Sequence, residues 1–182
     1  MLRRDRNNYA FIDGQNLYLA IKELGWHLDY IRFKTFLKDK YGVTKVYMFM
    51  GFLPTNRELY SFLQTVGFVL VFKPILQLKD GSVKGNCDAE LVLQAMIDYP
   101  TYDKAVIVTG DGDFYCLIKY LDQNKKLACI LAPSPKNCSS LLVRAASRGL
   151  VNFVSELKTK LEYSGKRKAP LEDRTSRGAF QS

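Results

Sequence analysis

"KAVIVTGDGDFYCLIKYLDQNKKLACILAP", residues 104–133, decides the fold, because it reads as strand, helix and strand in turn. Residues 104–109 and 127–133 are short apolar runs of the kind found in strands buried on both faces. Between them, "DFYCLIKYLDQN" (113–124) places its apolar residues on one side of a helix. At the first junction stand Asp111 and Asp113, where a parallel strand gives way to a helix. In open α/β sheets, ligands gather outside the carboxyl ends of the strands. Taken alone, the Asp-Gly-Asp turn fits a helix cap near Phe114 as well as a ligand pair.

The same alternation extends outward in both directions. "YAFID" (9–13) is a strand, "NLYLAIKELG" a helix closing on Gly25, and "IRFKTFLKDKYG" a second helix ending at Gly42. "KVYMFMGF" (45–52) and "FVLVFK" (68–73) are strands on either side of the helix "TNRELYSFLQTVG". That helix carries Thr55 and, three residues on, Glu58, the signature of a capping box. "ILQLKDGSVKG" reads as a hairpin or ordered loop around Asp80-Gly81. "DAELVLQAMID" (88–98) is a strongly apolar helix whose Glu90, Gln94 and Asp98 fall on one polar, solvated stripe. "SSLLVRAAS" is a helix with Ser139 or Ser140 at its cap, "LVNFV" a last strand, and "SELKTKLEY" a closing helix. The expected fold class is α/β: a three-layer sandwich with a central, mostly parallel sheet. Residues 1–163 form the domain, and 164–182 a basic, flexible tail in which the apolar pattern stops.

Asp13 poses the chemical question. A carboxylate at the mouth of a buried strand is costly unless something positive is held there. A metal ion, a helix N-terminus and a lysine from elsewhere all qualify. Asp88 opens a helix, where the positive helix end offsets part of its charge. Asp13, Asp88, Asp111 and Asp113 can therefore meet at one sheet edge, and crowded like charges raise one another's pKa unless a cation intervenes. An oxygen-rich, histidine-free cluster suits Mg²⁺ or Mn²⁺. The four cysteines show no CxxC spacing and His27 is the only histidine, which argues against zinc.

The net charge of +9 and pI near 9.4 favour a polyanionic partner. The tail contributes five cations against two carboxylates, so the body holds most of the surplus. "RFKTFLKDKYG" and "FKPILQLKDGSVKG" interleave cations with apolar or aromatic residues, as a single-strand binder would; solvated lysines on amphipathic elements account for them equally well. The longest clear apolar run, "VGFVLVF", is far short of a membrane span, and the basic start has no apolar signal core behind it. A cytoplasmic protein with reduced thiols and no membrane contact is expected.

In "FIDGQN" (11–16), "KGNCDAELVLQAMID" (84–98), "TGDGDF" (109–114) and "SSLLVRAAS" (139–147), taken in that order, the chain resembles the NYN-domain family, relatives of the PIN-domain nucleases. The likeness spans roughly residues 8 to 160. It implies a PIN-like, Rossmann-like sandwich and metal-dependent cleavage of RNA phosphodiester bonds; the ordered acids on a sheet edge and the basic body make an endonuclease acting on single-stranded regions the leading expectation. Position by position, it makes Asp13, Asp88 and Asp111 metal-binding, with Asp113 a nearby acid that orients water or binds a second ion. Asn16 matches the asparagine of the opening motif, and Lys84 the lysine before the second acid, suited to the scissile phosphate. Ser147 stands where many relatives carry an aspartate, a departure expected to be peripheral. Two other readings are a non-catalytic RNA-binding or adaptor module and a small-substrate phosphatase or nucleotide hydrolase. Against the phosphatase, the first strand ends in "DGQN" and not in DxD. A homodimer through an exposed sheet edge and a protein partner at the tail both remain open.

Overall fold

The computed structural model describes residues 6–73, 76–77, 83–84 and 87–165. Its strands are β1 (Asn8–Asp13), β2 (Val43–Gly51), β3 (Val69–Lys73), β4 (Leu76–Gln77), β5 (Val83–Lys84), β6 (Ala105–Val108), β7 (Leu127–Ala132) and β8 (Val151–Phe153). Its α-helices are α1 (Gly14–Glu23), α2 (Tyr30–Tyr41), α3 (Arg57–Val66), α4 (Asp88–Ile97), α5 (Tyr115–Gln123), α6 (Ser140–Ala145) and α7 (Lys158–Leu161). Six strands form one sheet in the order β3-β2-β1-β6-β7-β8, and every neighbouring pair is parallel. The chain leaves β1 toward β2 and β3, then crosses back to β6 on the other side. That reversal opens a crevice at the carboxyl ends of β1 and β6, where such sheets bind ligands.

Period-two alternation explains the three layers. Ala10, Ile12, Val46, Met48, Val106 and Val108 face one way and pack on α1, α2, α3 and α7 through Leu17, Ile21, Phe33, Leu37, Leu63 and Leu161. Tyr9, Phe11, Tyr47, Phe49, Ala105 and Ile107 face the other way, against α4, α5 and α6 through Leu91, Ala95, Leu117, Ile118, Leu121 and Leu142. In β7 the register slips between Leu127 and Cys129, which turns Ala128 and Cys129 to the same side. At the amino edge, buried Asn8 joins three strands' approaches: Nδ2 donates to the Tyr41 carbonyl and Oδ1 accepts from Lys104 N at 3.0 Å.

Several expectations change. Pro54 starts a 3₁₀ turn over Pro54–Asn56, so Thr55 lies inside the turn and not at the cap, and Asn56 precedes α3 without a side-chain capping bond. The closing segment is a 3₁₀ turn, Val154–Leu157, followed by only four α-helical residues, because Val154 is fully buried at the end of β8 and Glu162 bridges to Leu28. On α4 the polar stripe faces inward: Glu90, Gln94 and Asp98 are half-buried while Leu93 and Ile97 are 61% and 59% exposed. Glu90 meets a lysine on β3, and Asp98 lies against Tyr47 with its Oδ2 buried. On α2, Lys40 covers the rings of Phe36 and Tyr41. The antiparallel pairing of β4 and β5 matches the expected hairpin; its Asp80-Gly81 turn, like residues 166–182 of the tail, lies outside the described residues. No helix among the described residues is long and apolar enough to cross a membrane.

Candidate metal centre

Asp13 ends β1 in extended backbone and caps α1, its Oδ1 accepting from Asn16 N at 3.0 Å. The chain turns here directly against β2. A Cβ on Gly14 would stand 2.8 Å from the Phe49 carbonyl oxygen, so only glycine fits. Asn16 then reaches across the crevice, and its Oδ1 accepts from the buried Gly110 N at 2.8 Å. "DGQN" thus supplies a cap, a close approach and a tie to the facing strand.

The β6 side answers with "TGDGD". The fully buried Thr109 hydroxyl donates to Asp13 Oδ2 at 3.2 Å and accepts from Asp111 N at 3.1 Å. Asp111 caps the following 3₁₀ turn, Gly112–Phe114, by accepting from Asp113 N at 3.0 Å. Gly110 and Gly112 are forced by packing: a Cβ at 110 would overlap the Asn137 carbonyl, and one at 112 the Ser139 hydroxyl. Ser139 caps α6, and its N donates to the Gly110 carbonyl at 2.9 Å. The 134–139 loop is fastened from behind. Asn137 Nδ2 donates to Glu23 Oε2 at 2.9 Å, and Lys136 pairs with Glu23 Oε1 at 2.5 Å.

Asp88 enters as the first residue of α4, whose Leu91 and Ala95 are buried against the sheet. One carboxylate oxygen each from Asp88, Asp111 and Asp113 lie within 4.8 Å of one another, a spacing that one cation can bridge. Asp13 is not among those three, but it feels the charges of Asp88 and Asp111. Burial pushes its carboxyl from 3.8 up to about 6; the Asn16 N–H opposes that rise, and the two neighbouring acids add to it. Burial also pushes the Cys87 thiol up to about 11, and the clustered donors are all carboxylate oxygens.

Of the residues expected from sequence, Asp13, Asn16, Asp88, Asp111 and Asp113 meet at the switch point. Lys84 lies in β5, and its side chain falls outside the described residues. Ser147 is peripheral: its N and Oγ donate to Asp122 Oδ2 at 2.9 and 2.7 Å, near the far end of α5. Thr109 escaped the sequence reading, although a hydroxyl closing an otherwise apolar strand was its visible signal. Lys73 fell within the "FKPILQLKDGSVKG" stretch singled out above, but nothing in the sequence paired it with Glu90, and Lys136 had no signal.

Fold and site together define a three-layer α/β domain with an acidic centre at its topological switch point. The NYN domain model matches residues 9–153, and the chain belongs to that family. It is 27% identical over 121 residues to the "Low amplitude and bright protein LabA" of Synechococcus elongatus, covering 61% of this chain and 65% of that protein. The chain therefore spans less than two thirds of that curated relative's length. It is also similar to the crystal structure of a Vibrio parahaemolyticus protein of unknown function, with a TM-score of 0.66 and 27% identity, over 81% of this chain and 93% of the other.

Proposed function

We propose that the protein is a ribonuclease that hydrolyses RNA phosphodiester bonds with Mg²⁺ or Mn²⁺, acting within single-stranded regions. The observation that carries this reading is the convergence of Asp88, Asp111 and Asp113 oxygens within 4.8 Å, beside a fourth acid whose proton is held unusually tightly. Family membership agrees with it. All donors are hard oxygens, the set that Mg²⁺ and Mn²⁺ prefer.

When bound, such an ion lowers the pKa of water and neutralises charge on the phosphate. Asp88, Asp111 and Asp113 would hold it, with the remaining lone pairs of Asp13 available to complete the set. Asn16 keeps Gly110 N satisfied, and through it the spacing of β1 and β6. Thr109 fixes the Asp13 rotamer from the buried side. Asp113, the exposed member, would orient an attacking water.

The test is cleavage of labelled unstructured RNA by purified protein in Mn²⁺, beside Asp111→Asn. We expect the variant to lose at least about 100-fold, the scale on which transition-state charge stabilisers act. RNA left intact by the wild type, or cut equally by Asp111→Asn, overturns the proposal.

A further inference from the structure

Four carboxylates at one sheet edge repel a polyanion, so an RNA strand reaching them needs cations along its path. Two lysines stand at that edge on opposite sides of the acids. Lys73 is the last residue of β3, and both oxygens of Glu90, in the first turn of α4, lie 3.4 Å from its Nζ. Lys136 follows β7 and pairs with Glu23. It lines a cleft of about 520 Å³ together with Asn16, Asp111 and Asp113. Between β3 and β7 lie β2, β1 and β6; Asp13, Asp111 and Asp113 sit at the ends of the last two, and Asp88 comes from α4. Four inter-strand steps separate the ends of β3 and β7, about 19 Å along the edge.

The Lys136–Glu23 pair contributes little to stability, since the Lys136 side chain is 81% exposed and surface pairs rarely matter energetically; the Lys73–Glu90 pair is less exposed. Each glutamate does restrict where its ammonium points. From this geometry we infer that a single RNA strand crosses the carboxyl edge at right angles to the β-strands, with Lys73 and Lys136 holding backbone phosphates on either side of the acids. The inference rests on the ribonuclease reading and adds the path of the substrate. Glu90 and Glu23 are positioning residues that compete with phosphate for the same ammonium groups.

The experiment is a salt titration of fluorescein-labelled oligouridylate binding in Ca²⁺, read by anisotropy with strand integrity checked on a gel. Lys73→Met and Lys136→Met should each weaken binding and reduce the slope of log K against log salt by about 0.7, the value for one lost phosphate contact on a single strand. Lys73→Arg and Lys136→Arg should keep the slope. Glu90→Gln and Glu23→Gln should tighten binding, the opposite of what a merely structural staple predicts. Lys104→Met, at the amino end of β6, is the control. Slopes unchanged in both methionine variants, or glutamine variants that weaken binding, overturn the track. If the protein cuts RNA while the slopes stay fixed, the track alone fails; if the slopes move but no RNA is cut, the ribonuclease reading alone fails.

Discussion

Replacing Asp13 by Asn should stabilise the metal-free protein at neutral pH and destabilise it in acid. The Asp13 carboxyl rises from 3.8 to about 6 on folding, mainly through burial. Folded and unfolded chains are both protonated in strong acid, so the fold bears no penalty there. As pH climbs past 3.8 the unfolded chain releases its proton first, and stability falls until the folded carboxyl has also ionised. A shift of roughly two units is worth about 3 kcal/mol, and partial exposure of Asp13 reduces this to about 2 kcal/mol. An Asn that keeps its Oδ1 on Asn16 N turns a donor amide, not an acceptor, toward the Thr109 hydroxyl, a loss of about 1 kcal/mol. The variant should therefore lie about 1 kcal/mol below wild type near pH 4 and about 1 kcal/mol above it near pH 8. Urea unfolding in EDTA across that range measures the difference directly. Saturating Mn²⁺ should shift the comparison back toward the wild type, since an ion at 100 times its Kd adds about 2.7 kcal/mol and a variant lacking the Asp13 oxygens, which binds it more weakly, gains less. A difference curve that stays level with pH refutes the placement of Asp13 as a buried, strained acid.

The crevice makes further demands that stability and binding assays can read. Asn16→Ala should cost about 1–3 kcal/mol by chemical denaturation, because the buried Gly110 N loses its acceptor. Gly110→Ala should reach the upper end of about 1–3 kcal/mol for overpacking, since the obstacle is the Asn137 backbone and not a side chain that can turn away. Leu91→Ala should cost about 2–5 kcal/mol and also weaken Mn²⁺ binding in calorimetry, because Leu91 seats the helix that delivers Asp88. Unchanged Mn²⁺ affinity in that last variant would mean that Asp88 is held by something other than the packing of α4.

The strands and most helices could be read from the sequence because burial on both faces leaves a signal in every residue. Residues 104–109 and 127–133 have no polar option at their centres, and both proved to be neighbouring strands of one sheet. The acids were legible for a different reason. "DGQN" and "TGDGD" each join a cap to a glycine that lets another backbone approach, so local sequence carries the geometry. What could not be read depends on strand order. Lys73 meets Glu90 only because β3 ends beside the start of α4, and Lys136 meets Glu23 across 113 residues. The α4 stripe misled because amphipathic logic assigns its polar face to solvent, while Lys73 and Tyr47 draw Glu90 and Asp98 inward. Thr55 misled because Pro54 starts the turn one residue too soon.

The acids also divide their labour by what holds them. Asp13, Thr109, Asp111 and Asp113 form one chain of hydrogen bonds, with Asn16 closing a second link between the same two strand ends. Those contacts fix the β1–β6 half of the site before any ion arrives, and the bonds from Asn16 N and Thr109 offset part of the rise that burial imposes on the Asp13 carboxyl. Asp88 comes from a separate helix, anchored by apolar packing on the sheet's other face. Apolar packing tolerates small shifts where directional bonds do not. On the proposed reading, adjustment to an ion's radius would fall to α4, while the β1–β6 half would set the orientation of whatever the ion carries. Because Glu90 shares the first turn of α4 with Asp88, any such movement would also carry the partner of Lys73. The proposed ion site and the proposed RNA track would in this way be joined through a single helical turn.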